Sequence, residues 1–122
     1  MIVIYGASGH GGMILEILES KNQDACFFDD NPEKVRYLQT NVEKSLDGKG
    51  NIIIGVGNNK TRKCIALSLI EKSFEIAIDK SANISTRSQI DIGSVVFKNA
   101  SINHSTKCTS SKKLDIIVWS KL

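Results

Sequence analysis

The 122-residue chain has one proline, one tryptophan and three cysteines, and it lacks any long apolar run. Each shortage excludes something. Cys26, Cys64 and Cys108 are odd in number and far apart, with no CxxC pair, so neither a disulfide framework nor a zinc site is legible in them. Free thiols in a reducing cytoplasm are the expectation. Without about eighteen consecutive apolar residues, no membrane span is expected. The opening MIVIYG lacks a basic leader and a long apolar core, so it reads as a strand and not as a signal peptide. An excess of one charge sign is also missing: the formal net value is only +3, with lysines and arginines dispersed along the chain, and nucleic acid is not expected as a partner. The 41% of apolar residues is a globular composition, and the length suits one modest domain with a thin core.

What the chain does have is glycine in one place. GASGHGG at residues 6–12 follows the apolar, β-branched run Ile2 to Tyr5, which suits a strand buried on both faces of a parallel sheet. From Gly11 to Glu19 the period changes, and Met13, Ile14, Ile17 and Leu18 share one face of a helix. Ala25 to Phe28 is a second short strand, stopped by Asp29-Asp30-Asn31-Pro32. Residues 35–38 suggest a short strand, 47–50 a loop, and 51–56 a clear strand. A second amphipathic helix is predicted over 60–72, with Ile65, Ala66, Leu69 and Ile70 inward, then a strand over 74–78. This alternation predicts an α/β fold, a small Rossmann-like parallel sheet over residues 1–78. In such sheets ligands bind at the strand carboxyl ends. Three loops are predicted there: 6–12, 29–31 and 55–59.

Residues 79–122 follow another rule. Ile84, Ile90, Val96 and Ile102 are spaced by six, and Ala82, Ser88, Ser94 and Ala100 stand two positions before them. Thr106 and Cys108 extend the series. Such a period predicts a parallel β-helix with short faces, one aliphatic residue per face pointing inward. After Cys108 the phase decays, with Lys112 where a small residue is due, and Ile116 to Trp119 reads as a last apolar strand or tail. One to two coils are predicted. An incomplete coil stack leaves an unpaired edge, so self-association or a partner is expected.

The glycines read GxxGxGG, which departs from the GxGxxG dinucleotide fingerprint. Asp29 and Asp30 stand about where an acid would meet a ribose. Each candidate also has a plainer use: Gly6 and Gly9 turn the chain, His10 caps or packs, and Asp29 caps a turn before Pro32. The order of motifs says more. GASGHGG, then FFDD, then GVGNN, then DKSANIS leading into hexapeptide repeats, resembles the bacterial acetyl-CoA-dependent sugar acetyltransferases of the PglD/NeuD type. The resemblance covers residues 1 to about 107. It implies an N-terminal part holding a UDP-sugar, a left-handed β-helix holding acetyl-CoA between subunits of a trimer, and a role in glycan or polysaccharide synthesis.

Carried over residue by residue, it implies a nucleotide-sugar pocket lined by Gly6, Ser8, Gly9, His10 and Gly11. Asp29 and Asp30 would accept hydrogen bonds from base and ribose, and Gly55, Val56, Gly57 and Asn58 would form the facing loop. The family's catalytic histidine lies in a segment like INTGAxVDHD, and nothing here matches it. His104, in INHSTK, reads as a surface histidine at a coil corner, so no catalytic residue and no metal ligand is assigned. The expectation is a truncated form that binds the nucleotide-sugar but neither binds acetyl-CoA nor acetylates. The alternatives are a non-catalytic binding module and a small NAD(P)-binding protein.

Overall fold

The structure, a computed structural model, describes residues 1–48, 50–69, 71–85, 89–90, 93–97, 100–102, 107–108 and 117–118. Its first strand, β1 (Ile2–Tyr5), is buried along nearly its whole length because it lies inside a sheet. It pairs in parallel with β2 (Ala25–Phe28) on one side and with β5 (Ile52–Ile54) on the other. The continuous apolar runs IVIY and III are the chemistry of strands covered on both faces. β4 (Thr40–Glu43) pairs in parallel with β2, and β3 (Arg36–Tyr37) closes that edge antiparallel to β4. The sheet order is therefore β3-β4-β2-β1-β5.

The hairpin β3–β4 replaces the single predicted strand. Its turn has none of the usual glycine or asparagine: Leu38 and Gln39 take positive φ angles of 48° and 61°. Arg36, the first residue of β3, holds the turn with its side chain, donating to the Gln39 carbonyl at 2.7 Å and to Asn41 Oδ1 at 3.1 Å.

Helix α1 (Gly9–Ser20) starts two residues earlier than the pattern predicts. Its buried face is Gly11, Gly12, Ile14, Leu15, Ile17 and Leu18. Met13, placed on that face by the sequence pattern, is instead 41% exposed, and Leu15 takes the inward place. The helix ends where Asn22 turns left-handed at φ 56° and the N–H of Gln23 reaches back to the Leu18 carbonyl. Helix α2 (Asn59–Ser68) is shorter than predicted. Ala66 is buried there, and Ile65 and Leu69 pack beside it against Ile52, Ile54 and Phe74. Ile70 lies outside the described residues.

The strand predicted over 74–78 divides. Phe74 bridges Ile52 at the sheet edge, whereas β6 (Ala77–Ile78) pairs with β9 (Val95–Val96). β7 (Asn83–Ile84) pairs with β10 (Ser101–Ile102), and β8 (Gln89–Ile90) with β11 (Lys107–Cys108). All three pairings are parallel and join residues eighteen positions apart, three times the predicted period of six. β12 (Ile117–Val118) adds to β9 at a separation of twenty-two, so the last pairing absorbs the disturbed phase after Cys108. Ser94, Val96 and Ala100 are fully buried, as the small-and-aliphatic rule requires. Ser88, His104, Thr106 and Leu114 lie outside the described residues.

The two parts share one core. Ala77, Val95 and Phe97 pack in the same cluster as Ile4, Ile14, Ile17 and Phe27. The repeat segment thus docks on α1 through apolar side chains, and this docking carries Phe97 to the mouth of the glycine loop.

Candidate functional site

The carboxyl ends of β1, β2 and β5 gather the three predicted loops. The chain leaves β1 for β2 on one side, while β5 lies on the other, so the gap between β1 and β5 is a switch point of the kind where open α/β sheets bind ligands. The loop after β1 and the loop after β5 face each other across it.

The glycines there have two different uses. Gly6 sits at φ +120°, and a Cβ on it would lie 3.1 Å from the Gly55 carbonyl oxygen. A Cβ on Gly11 would lie 2.1 Å from the Gly6 carbonyl oxygen, and one on Gly55 2.9 Å from the Gly11 Cα. These three glycines let the chain pack on its own backbone. Gly12 makes room for the side chains of Leu38 and Tyr37. Gly9 differs, because nothing lies within 4 Å of its missing Cβ. The missing Cβ of Gly57 faces only the His10 ring, at 3.5 Å from Nδ1.

Around that opening, Ser8, Gly9, Gly57 and Asn58 are exposed, and His10 and Val56 are half-buried. Gly6, Gly11 and Gly55 are buried beneath them. Ser8 precedes α1 in extended conformation, its side chain does not cap the helix, and the first turn carries no acid. The first-turn N–H groups and the positive end of the helix dipole therefore favour an anion. Asn58 serves the fold itself, since its side chain accepts the Thr61 N–H at 2.9 Å and caps α2.

His10 stands between the two parts of the molecule. Its ring meets Phe97 edge-on, with centroids 5.3 Å apart. Burial, and then the positive charge of buried Arg62, hold the imidazole below its ordinary value, so it is neutral at neutral pH. The Tyr5 ring meets that of Phe28 at a tilt of 54°, with centroids 4.8 Å apart, and burial followed by the charges of Asp30 and Asp29 pushes its phenol up.

The two acids after β2 separate in role. Asp29 Oδ2 accepts the Ala7 N–H at 3.0 Å, and Oδ1 accepts the Asn31 N–H at 2.9 Å. Its carboxylate thus ties the glycine loop to the end of β2 and shapes the turn before Pro32. Asp30 is exposed. Lys34, overlooked in the sequence, completes the tie: its Nζ donates to the Ala7 carbonyl at 2.8 Å and lies 3.6 Å from Asp29 Oδ2. Burial pushes the Asp29 carboxyl up, but the Asn31 and Ala7 N–H groups and the Lys34 charge outweigh it and hold the group below its ordinary value. A carboxyl depressed on folding stabilises the fold fully above its unfolded value, and that contribution is lost as pH falls through the folded one. Wild type should therefore lose more stability than Asp29→Asn between about pH 5 and pH 3, as read by urea unfolding midpoints. At neutral pH, Asp29→Ala should cost about 1–3 kcal/mol, because it strands the buried Ala7 N–H.

Lys34 carried a weak signal, a cation within the loop that follows the acid pair. Phe97 and Arg62 carried none, because only tertiary packing brings them to His10. Among the described residues no group of three or more His, Cys, Asp or Glu is gathered as a metal site would need. No helix among them is long and apolar enough to cross a membrane.

Residues 1–69, more than half of the chain, match the family described as the PglD N-terminal domain. The chain belongs to that family. As a PglD N-terminal domain protein, it also shares its fold with solved structures. A mutant of perosamine N-acetyltransferase from Caulobacter crescentus, in complex with CoA and GDP-perosamine, matches with a TM-score of 0.78 at 20% identity, over 87% of this chain and 55% of that one. The acetyltransferase domain of PglB from Neisseria gonorrhoeae matches with a TM-score of 0.75 at 22% identity, over 88% of this chain and 59% of that one. The same domain in complex with acetyl coenzyme A gives 0.75 at 23% identity, over 87% and 57%. The PglD-type chain spans a little over half the length of these proteins.

Proposed function

We propose that this chain binds a nucleotide-linked sugar at the switch point between β1 and β5, as the donor-free, substrate-holding part of a sugar acetyltransferase. The observation that carries the reading is the open face of Gly9 at the uncapped start of α1, opposite Gly57 and roofed by His10. In this reading the backbone N–H groups of Gly9 and His10 hold the diphosphate. Asp30 accepts from ribose or base, while Asp29 keeps the loop in shape. A uracil nucleotide follows from the family resemblance. The GDP-perosamine bound by the Caulobacter protein makes guanine the natural comparison.

The reading extends to the second part. Three parallel ladders at eighteen-residue spacing support a β-helix that begins with β6 at Ala77, left-handed by the resemblance, with the nucleotide-binding part before it. Acetyl-CoA in complex with the Neisseria domain supports acetyl-CoA as the donor of the whole enzyme. Acyl transfer needs a base to take the proton of the attacking amine or hydroxyl. His10 belongs to the nucleotide pocket in this reading, so the reading gives these 122 residues binding and not transfer. A trimer, as the resemblance implies, would bring the β-helices together.

Calorimetric titration tests this. Wild type should bind UDP- or GDP-linked amino sugars. Gly9→Val, whose side chain enters open space, should weaken that binding at least tenfold with an unchanged melting temperature. Binding of NAD in preference to any nucleotide-sugar would overturn the reading.

A further inference from the structure

The turn after β2 is held by two lysines, and the second of them has no part in the site described so far. Lys44 directly follows β4 (Thr40–Glu43) and is exposed. Its Nζ nevertheless donates to two carbonyls of the turn, that of Asn31 at 3.2 Å and that of Lys34. The Asn31 carbonyl also accepts the Lys34 N–H at 3.1 Å, and Asn31 Oδ1 accepts the Glu33 N–H at 3.0 Å. The turn over 31–34 is thus closed on itself, with one ammonium group fastened to both of its ends.

Lys34 carries that order on to the glycine loop. Its own Nζ donates to the Ala7 carbonyl at 2.8 Å, while Asp29 Oδ2 accepts the Ala7 N–H at 3.0 Å. Ala7 is therefore gripped on both sides of its backbone, and Ser8 and Gly9 follow it directly. Asp30 rides in the same turn, between Asp29 and Asn31, which are themselves joined by the Asn31 N–H to Asp29 Oδ1. A single run of contacts, from Lys44 through the turn to Lys34 and Ala7, reaches the two groups that the nucleotide-sugar reading needs most, Gly9 and Asp30.

The bonds of Lys44 lie at the surface, where water serves a carbonyl almost as well, so they add little to global stability. What they remove is the freedom of the turn. A ligand that requires one arrangement of Gly9 and Asp30 binds more weakly in proportion to the time the loop spends in others.

We infer that Lys44 is a positioning residue for the nucleotide-sugar, fixing the 31–34 turn and, through Lys34, the glycine loop. The inference rests on the nucleotide-sugar reading. It separates affinity from stability: an exposed lysine outside the pocket sets how ready the pocket is.

The experiment titrates UDP- and GDP-linked amino sugars by calorimetry into wild type, Lys44→Met, Lys44→Arg, Lys34→Met and the double methionine variant. Lys44→Met should weaken binding about fivefold to tenfold, with the melting temperature within about 2 °C of wild type. Lys44→Arg keeps the charge and the donors and should stay within about twofold. Lys34→Met should lose at least as much as Lys44→Met, and the double variant no more than Lys34→Met alone, because both lysines act along one path. In the ligand-free protein, Lys44→Met should speed amide exchange at Ala7 and leave Ile4, inside the sheet, unchanged. If wild type binds a conjugate and Lys44→Met binds it equally well, the positioning role is overturned and the nucleotide-sugar reading stands. Additive losses also overturn it, since each lysine then acts on the anionic ligand by charge alone. Weaker binding with unchanged exchange at Ala7 overturns it as well. If wild type binds neither conjugate, the nucleotide-sugar reading fails and the positioning role falls with it.

Discussion

Gly11→Ala should unfold the α/β part of this chain, or lower its stability by about 3 kcal/mol, at the upper end for overpacking. The new Cβ would lie 2.1 Å from the Gly6 carbonyl oxygen, and that oxygen belongs to backbone, not to a side chain that can rotate away. Relief on the other side is blocked, because Gly55 already approaches the Gly11 Cα so closely that its own Cβ would lie 2.9 Å from it. Moving α1 outward would part Ile14 and Leu18 from the sheet core. Gly9→Ala, two residues away, is the control: its Cβ meets nothing, and alanine is the better helix former. Thermal unfolding of the two variants should therefore differ widely, although both change a glycine of the same loop. Equal melting temperatures would mean that the loop does not pack on itself as described.

Phe27→Ala is the second large effect, expected at about 3–5 kcal/mol by chemical denaturation. The ring is fully buried in the cluster shared by the sheet, α1 and the repeat segment. Tyr37 meets it edge-on at 5.3 Å, which ties the β3–β4 hairpin to the core. The pairing of Phe27 with both Ile4 and Val42 leaves no side chain free to fill the void without disturbing the register of three strands. Because Asp29 directly follows β2, the loss should also loosen the tie between Asp29 and Ala7. Nucleotide-sugar binding should weaken along with stability, in contrast to Gly9→Val, which acts on binding alone.

What was legible and what was not divides by the range of the forces involved. β1, β2, α1 and the six-residue strand spacing were legible because each is a local pattern: β-branched runs for buried strands, a 3.6 period for the helix, a small-then-aliphatic beat for the repeats. The β3–β4 hairpin was not, since Leu38 and Gln39 hold their left-handed turn through Arg36 and through packing over Gly12. Met13 and Leu15 exchanged places for a related reason. The repeat segment covers one flank of α1 and leaves a cavity beside Met13, and no helix period records where a neighbouring element stops.

What the sequence by itself determined is the class of molecule: an α/β sheet with a glycine loop after its first strand, followed by hexapeptide repeats. These follow from spacing, and spacing is local. Only the tertiary structure decided what each glycine and acid does. Gly6, Gly11 and Gly55 serve the chain's own backbone, while Gly9 and Gly57 face the opening. Asp29 is bound to Ala7 and Lys34, leaving Asp30 exposed beside it. The physical reason is that a missing Cβ or a carboxylate has no role until another segment of chain arrives within a few ångströms, and that approach is set by the packing of the whole core.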